Sequence, residues 1–338
     1  TIRRVQQWGG EGDRTVDLAA VVIVPPAESS AAIPEIRSHE PEHASNFHSL
    51  ASLLTPILGN DVLHAWIERI RKLGVPSLWL SSSGQENLAC STLQAFASQG
   101  IQRFLTIKLK SYAEMDLGDL LQFHRESRNT VTEVHDSQGQ LGVRVFDHPS
   151  AASGNCEYCA PVDAEHAAYP FRGYSKRVLS ARERQDLVGD VLIGGCAMRP
   201  LGKEVAEQVW VGDGAKIADS VRLIGPSYIG AHTEIRSGAT IGPFASIERD
   251  CVVDYGTTVE RSTLLPGTYL ASGLLIRNAL VDGRYLEDLN SGVIADLQPA
   301  GLTARATTRR RASSSPADAR AWGLKASSSA AEWRQVQL

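Results

Sequence analysis

The chain has 338 residues, 43% of them hydrophobic and 21% charged, with a formal net charge of −4. That leaves room for two modest domains with real cores, and the charge is too mild to mark the whole chain as a nucleic-acid binder. The five cysteines form no disulfide framework, no apolar run is long enough to cross a bilayer, and the start lacks a secretion signal, so a cytoplasmic protein is expected.

Ala20–Pro26 (AVVIVPP) reads as a buried first strand, and a Ser/Pro/Glu/His-rich loop comes after it. In NDVLHAWIERIRKLGV, the residues Leu63, Trp66, Ile67, Ile70 and Leu73 recur at helical spacing. Asn60 or Asp61 is the expected cap and Gly74 the stop. PSLWLSSS is a second strand, ENLACSTLQAFASQG a second helix closed by Gly100, and RFLTIKL a third strand. MDLGDLLQFHRESR is a third helix, and TVTEVHDSQGQLGVRVFD a hairpin turning at Ser137–Gly139. Alternating strand and helix predict a layered α/β domain with a largely parallel sheet.

Next come Cys156 and Cys159 in CEYC, between His148 and His166. Their spacing matches no standard zinc module, and no metal site is read here. FRGYSKRVLSARERQDLVGDVL (Phe171–Leu192) is a turn leading into a charged amphipathic helix, expected to pack the first domain against the start of the C-terminal half.

From Val211 every sixth residue is aliphatic: Val211, Ile217, Leu223, Ile229, Ile235, Ile241, Ile247, Val253, Val259 and Leu265. Four positions after each lies a mostly small residue, among them Ala215, Thr233, Ala239, Ala245 and Thr257. A fixed period of six fits neither a helical face nor an alternating strand. It predicts three short strands per triangular coil, with the aliphatic residue inward at each and the small residue at the corner. Beyond residue 300 the chain is rich in Ala, Ser and Arg, with seven Lys/Arg against two acids from Gly301 onward. A basic tail without fixed structure is expected there.

The hexads resemble the left-handed β-helix of bacterial hexapeptide proteins. TPILGNDVLHAWIERIRKLGV and FLTIKLKSYAEMDLGDLLQFHRE resemble two segments of sugar-1-phosphate nucleotidyltransferases, some of which carry such a β-helix after the catalytic domain. The resemblance implies a Rossmann-like nucleotidyltransferase-type α/β domain followed by a left-handed parallel β-helix. The expected limits are an extension over 1–18, the α/β domain over 19–150, a connecting segment with the amphipathic helix over 151–205, the β-helix over 206–290 and the tail over 300–338.

The departures from the family decide the expected chemistry. A Gly-rich phosphate loop comes after the family's first strand, whereas here VVIVPPAESS has two prolines with no N–H to donate and no glycine. The family's central strand ends in Asn-Gly-Asp, whose aspartate holds Mg²⁺. An ungapped match puts Lys108, Leu109 and Lys110 there, and an ammonium cannot ligate a hard cation.

The resemblance therefore implies a nucleotidyltransferase-like protein of sugar-nucleotide or surface-polysaccharide metabolism with a degenerate site, acting as a binding or regulatory subunit. Lys108, Lys110 and Asp116 are its expected substrate-binding residues, with no catalytic residue and no metal. The expected partners are a sugar phosphate or nucleotide, and a protein partner or second copy through the β-helix; no nucleic acid and no membrane span are expected. Two alternatives stand beside this. One is an active transferase that joins a sugar 1-phosphate to a nucleoside triphosphate with Mg²⁺ and releases pyrophosphate. The other is a hexapeptide acyltransferase with His232, the one histidine of the hexads, as base.

Overall fold

A computed structural model of the chain describes residues 18–24, 55–75, 77–82, 93–147, 166–297, 301–305 and 333–335. The chain divides into two compact units: one comprises residues 1–54 and 61–183, the other 55–60 and 184–338.

The first unit is built on a six-stranded sheet. In chain order its described elements are β1 (Leu18–Val24), α1 (Val62–Lys72), β2 (Ser77–Ser82), β3 (Arg103–Lys108), β4 (Ser111–Ala113), α2 (Leu117–Ser127), β5 (Val131–Asp136), β6 (Gly139–Asp147), β7 (His166–Pro170) and β8 (Ser175–Arg177), with a short helical stretch over 93–98. The strand order is β2-β1-β3-β6-β5-β7. β1, β2 and β3 run parallel, β6 is antiparallel to both β3 and β5, and β5 is parallel to β7. All strands but β6 therefore end on the same edge of the sheet. β4 and β8 pair separately as a two-stranded ribbon that the sequence did not announce.

The strands form where the sequence concentrates β-branched and aromatic residues, and one face is dry. Ala19, Val21, Ile23, Phe104, Val131 and Phe146 are buried together with Leu93. The Phe104 and Phe146 rings stack at 5.5 Å between centroids, the distance at which offset rings attract. α1 buries Val62, Trp66 and Ile70 and stops at Leu73, after which Gly74 turns the chain at φ 69°. Asp61 holds the N-cap position of α1 without a side-chain capping bond, while α2 is capped by Asp116, whose Oδ1 accepts the Gly118 N–H at 2.7 Å.

The second unit winds three parallel sheets around one column. The first sheet takes Val209–Val211, Ser227–Ile229, Ala245–Ile247, Thr263–Leu264 and Ala279–Asp282. The second takes Lys216–Ala218, Glu234–Ile235, Val252–Val253 and Thr268–Leu270. The third takes Arg222–Leu223, Thr240–Ile241, Thr258–Glu260 and Leu275–Arg277. Each short strand lies beside the one a full coil onward, as Val211 lies opposite Ile229 and Ile229 opposite Ile247.

Eight of the ten expected column residues are buried in a single cluster, and Leu223 packs against it partly exposed. Each fully buried aliphatic side chain contributes about 1.5–3 kcal/mol relative to exposure. Corner hydroxyls close the backbone: Thr233 Oγ1 donates to the Glu248 carbonyl at 2.9 Å, and Thr257 Oγ1 to that of Ala271 at 2.7 Å.

The tenth expected column residue is corrected. Leu264, not Leu265, joins the column, followed by Leu270 and Ile276. The chain shortens one turn by a residue after Val259, with Arg261 at φ 48°, and from there Ile247 faces Leu264 and Val253 faces Leu270.

Antiparallel strands flank the coil. Lys203–Ala206 pairs with Val209–Val211, and Tyr285–Asp288 with Ala279–Asp282. Thr303–Arg305 and Trp333–Gln335, both in the expected tail, pair with Thr268–Leu270 and Lys216–Ala218. No described helix is long and apolar enough to cross a membrane.

Candidate functional site

The end of β3 is fixed by its neighbours. Lys108 lies opposite Ile23 of β1, and pairing runs one residue further, with the Leu109 N–H donating to the Ile23 carbonyl at 2.8 Å. Leu109 is fully buried, so strand alternation turns Lys108 and Lys110 to the opposite side. The Lys110 carbonyl accepts the Val178 N–H at 3.1 Å, which holds the segment after the strand in place.

Lys108 and Lys110 line one small cleft with Ile23, Thr106, Gln140, Gly142 and Arg144. Gly142 is required there. It sits at φ 80°, and a Cβ on it would lie 2.6 Å from the Lys108 carbonyl oxygen. The cleft thus gathers two ammonium groups and a guanidinium, and its lining holds no carboxylate. Arg144 is anchored by Glu133 at 2.7 Å. Among the described residues, no group of three or more His, Cys, Asp or Glu side chains is arranged to hold a metal ion. The PPAESS segment, Cys156, Cys159 and His148 lie outside the described residues, as does the side chain of His166.

A larger cleft of about 430 Å³ opens at the ends of β5 and β7, lined in part by His135, Asp136, Ser137, Phe171, Arg172 and Ser175. Because β3, β5 and β7 run in one direction, both clefts lie on the same carboxyl edge, flanking the turn between β5 and β6. In open α/β sheets that edge is where ligands bind. Asp136 accepts from Ser175 Oγ at 2.8 Å, from the Gln138 N–H at 2.8 Å and from Arg177 at 3.2 Å. Burial pushes its carboxyl up, but the Ser175, Gln138 and Arg177 donors together hold it below the ordinary range. No local sequence signal marks this cleft, since its polar groups meet only when β5 and β7 pair.

α1 is pinned beside the β3 end. Trp66 Nε1 donates to the Ser111 carbonyl at 2.9 Å, and the Arg69 guanidinium sits 5.5 Å from the Trp66 ring and 5.2 Å from that of Tyr112. The Tyr112 hydroxyl donates to Glu114 at 3.0 Å; burial, reinforced by Glu114, pushes that phenol up to about 12.

The other expected site residues lie elsewhere. Asp116 is an exposed helix cap that does not line the cationic cleft. His232 is an exposed corner residue of the coil at φ 59°, its ring lying over Gly214. Among the described residues, nothing hydrogen-bonds its ring.

No family model matches the chain. Two curated proteins are similar to part of it. A UTP–glucose-1-phosphate uridylyltransferase of Synechocystis sp. is 33% identical over 112 residues, covering 33% of this chain and 29% of the relative. A glucose-1-phosphate thymidylyltransferase of Streptomyces griseus is 33% identical over 105 residues, covering 31% of this chain and 23% of the relative. The chain thus spans less than a third of the length of either relative. The similarity supports the sugar-1-phosphate nucleotidyltransferase family for the matched stretch.

Proposed function

We propose that this is a cytoplasmic nucleotidyltransferase-like protein of sugar-nucleotide or surface-polysaccharide metabolism that binds a sugar phosphate or nucleotide without transferring it. It acts as a binding or regulatory subunit, its coil winds left-handed, and the coil offers a surface to a protein partner or a second copy.

The observation that carries this reading is the lining of the strand-end cleft: Lys108, Lys110 and Arg144, and no acid. Mg²⁺ needs one or two carboxylates and waters in octahedral geometry, and a lining of Lys108, Lys110 and an Arg144 already paired with Glu133 supplies no carboxylate to hold it. The same groups are suited to phosphate, the guanidinium by paired N–H donors and the ammoniums as point charges. The Thr106 hydroxyl and the Gln140 amide add neutral donors to the same cleft. The neighbouring cleft at His135 and Arg172 would take the sugar end of such a ligand.

The names of the two partial relatives favour an active transferase as the second reading. An acyltransferase centred on His232 has no orienting partner among the described residues to support it.

A titration of the full chain with nucleoside triphosphates and sugar phosphates, with and without Mg²⁺, tests the proposal. Binding is expected to be indifferent to Mg²⁺, to weaken with salt as contacts between solvent-reachable charges do, and to be lost in the Lys108→Gln/Lys110→Gln double variant. Mg²⁺-dependent binding, or binding unchanged in that variant, would overturn it.

A further inference from the structure

The two strand-end clefts are joined through one side chain. Glu133 of β5 lies opposite Arg144 of β6, and Thr106 of β3 lies opposite Arg144 on its other side. Glu133 Oε1 accepts from Arg144 Nε at 2.7 Å, while its Oε2 lies 3.5 Å from His135 Nε2. Arg144 lines the cationic cleft and His135 the larger one. His135 is two residues beyond Glu133 along β5 and so shares its sheet face. The clefts are therefore neighbours on one face, divided by a carboxylate whose two oxygens turn to one side chain of each.

The larger cleft has a charged pole of its own. The Phe171 N–H donates to the His135 carbonyl at 2.7 Å, and the Glu114 N–H donates to the Tyr174 carbonyl at 2.9 Å. The loop 171–174, which carries Arg172, is thus held at both ends. Gly173 lets it fold tightly, since a Cβ there would lie 2.6 Å from the Phe171 ring. Asp136 is the one carboxylate of the lining, and the Ser175, Gln138 and Arg177 donors already engage it. Arg172 is exposed in the same lining, and among the described residues none pairs with it. A guanidinium so placed, in a cleft of about 430 Å³, suits a carboxylate or a phosphate.

Given the cationic cleft as the phosphate site of the proposed function, on which this rests, we propose that the two clefts together bind a sugar that is anionic at both ends. One phosphate sits on Lys108, Lys110 and Arg144, and a second acidic group, phosphate or carboxylate, sits on Arg172. Neighbouring strands lie about 4.8 Å apart, so β6, which carries Arg144, and β7, which leads to Arg172, are about 10 Å apart with β5 between them. One hexose with a group at each end spans that gap. Glu133 lies between the poles and repels a third anion there, which favours an uncharged middle.

Calorimetric titration of the full chain near neutral pH with glucose 1-phosphate, glucose 1,6-bisphosphate and glucuronic acid 1-phosphate tests this. At least one of the two doubly anionic sugars should bind about tenfold or more tighter than glucose 1-phosphate, the worth of one hydrogen bond between charged groups. Which of them gains identifies the second group as phosphate or carboxylate. In Arg172→Gln the ratio of affinities should fall to about one, and Arg172→Lys should restore part of it. Equal affinities in the natural chain would overturn the proposal and leave the phosphate cleft standing. A preference unchanged in Arg172→Gln would do the same, by assigning it to overall charge. No binding of any of the three sugars would refute the phosphate cleft, and this inference with it.

Discussion

The coil and the six-stranded sheet spend their sequences differently. In the coil, one rule governs nearly every position: aliphatic residue inward, small or hydroxylated residue at the corner, glycine where the backbone turns left-handed. Its stability is the sum of many equivalent contacts between neighbouring turns. In the sheet, the same apolar logic fills only the middle of each strand. The carboxyl edge is non-repeating, and there the cations, the aromatic sandwich around Arg69 and the larger cleft collect. Repetition makes a scaffold, and the irregular edge is where a ligand can be distinguished.

The largest expected effect tests the coil's side of that contrast. Ile235 is fully buried in the column, so Ile235→Asp places a charge where nothing can pair it. It should cost about 4 kcal/mol or more and unfold the coil in a thermal melt followed by circular dichroism. An unchanged melt would refute the column. Next is Gly242→Ala. Gly242 sits at φ 102°, and a Cβ there would overlap the Ile224 carbonyl oxygen of the neighbouring turn. The loss should be about 2–4 kcal/mol. Gly256→Ala, with φ 65° but open space around the new methyl, should lose only about 1–2 kcal/mol. Equal losses would mean that turn-to-turn contact does not set the coil's tolerance.

A smaller effect is expected in the sheet unit, where the response to pH should be local. His124 is 1% exposed, with Nδ1 2.8 Å from Thr132 Oγ1. Burial, only partly offset by Asp147, holds its imidazole below the ordinary histidine value. The folded state therefore binds this proton less readily than the unfolded chain. Stability should fall as pH drops through about 6.5 toward the lowered native value, by up to about 1.4 kcal/mol per unit of separation. Urea melts at pH 7.5 and 5.5 should show the natural chain faring worse on acidification than His124→Gln does. An equal loss in both would assign the acid sensitivity elsewhere. The smallest effect is at the strand end. Lys110→Asp removes a cation without rebuilding a phosphate loop or a metal site, so it should weaken phosphate binding and its salt dependence while leaving turnover absent. Turnover gained by that one change would show a site closer to activity than its lining implies.

Much of this was readable from the sequence where the signal was local. The period of six announced the column, and helical spacing put Trp66 and Ile70 inward, as they are. The one-residue slip in the column was not readable, because Leu264 and Leu265 are adjacent leucines and satisfy either phase. The ungapped family match put Lys108 and Lys110 at the strand end, but nothing local separated Asp116, a helix cap, from the cleft. Glu248 was invisible for a different reason. It comes directly after the column residue Ile247, as an ordinary outward position would, and only a contact with Leu58, 190 positions away, makes it buried and matched. The side-chain donors to Asp136, Ser175 and Arg177, are likewise 39 and 41 positions distant. Partnerships that tertiary contact creates leave no periodic trace.

The central claim is that the carboxyl edge of the sheet holds phosphate by fixed positive charge and does not carry metal-dependent transfer. A pyrophosphate-release assay on the natural chain, run with Mg²⁺ across the common nucleoside triphosphates and sugar 1-phosphates, tests it most directly. No release above the uncatalysed background is predicted for any pair. Mg²⁺-dependent release at an enzymatic rate, on the order of one per second or faster, would contradict the claim and make the protein an active transferase.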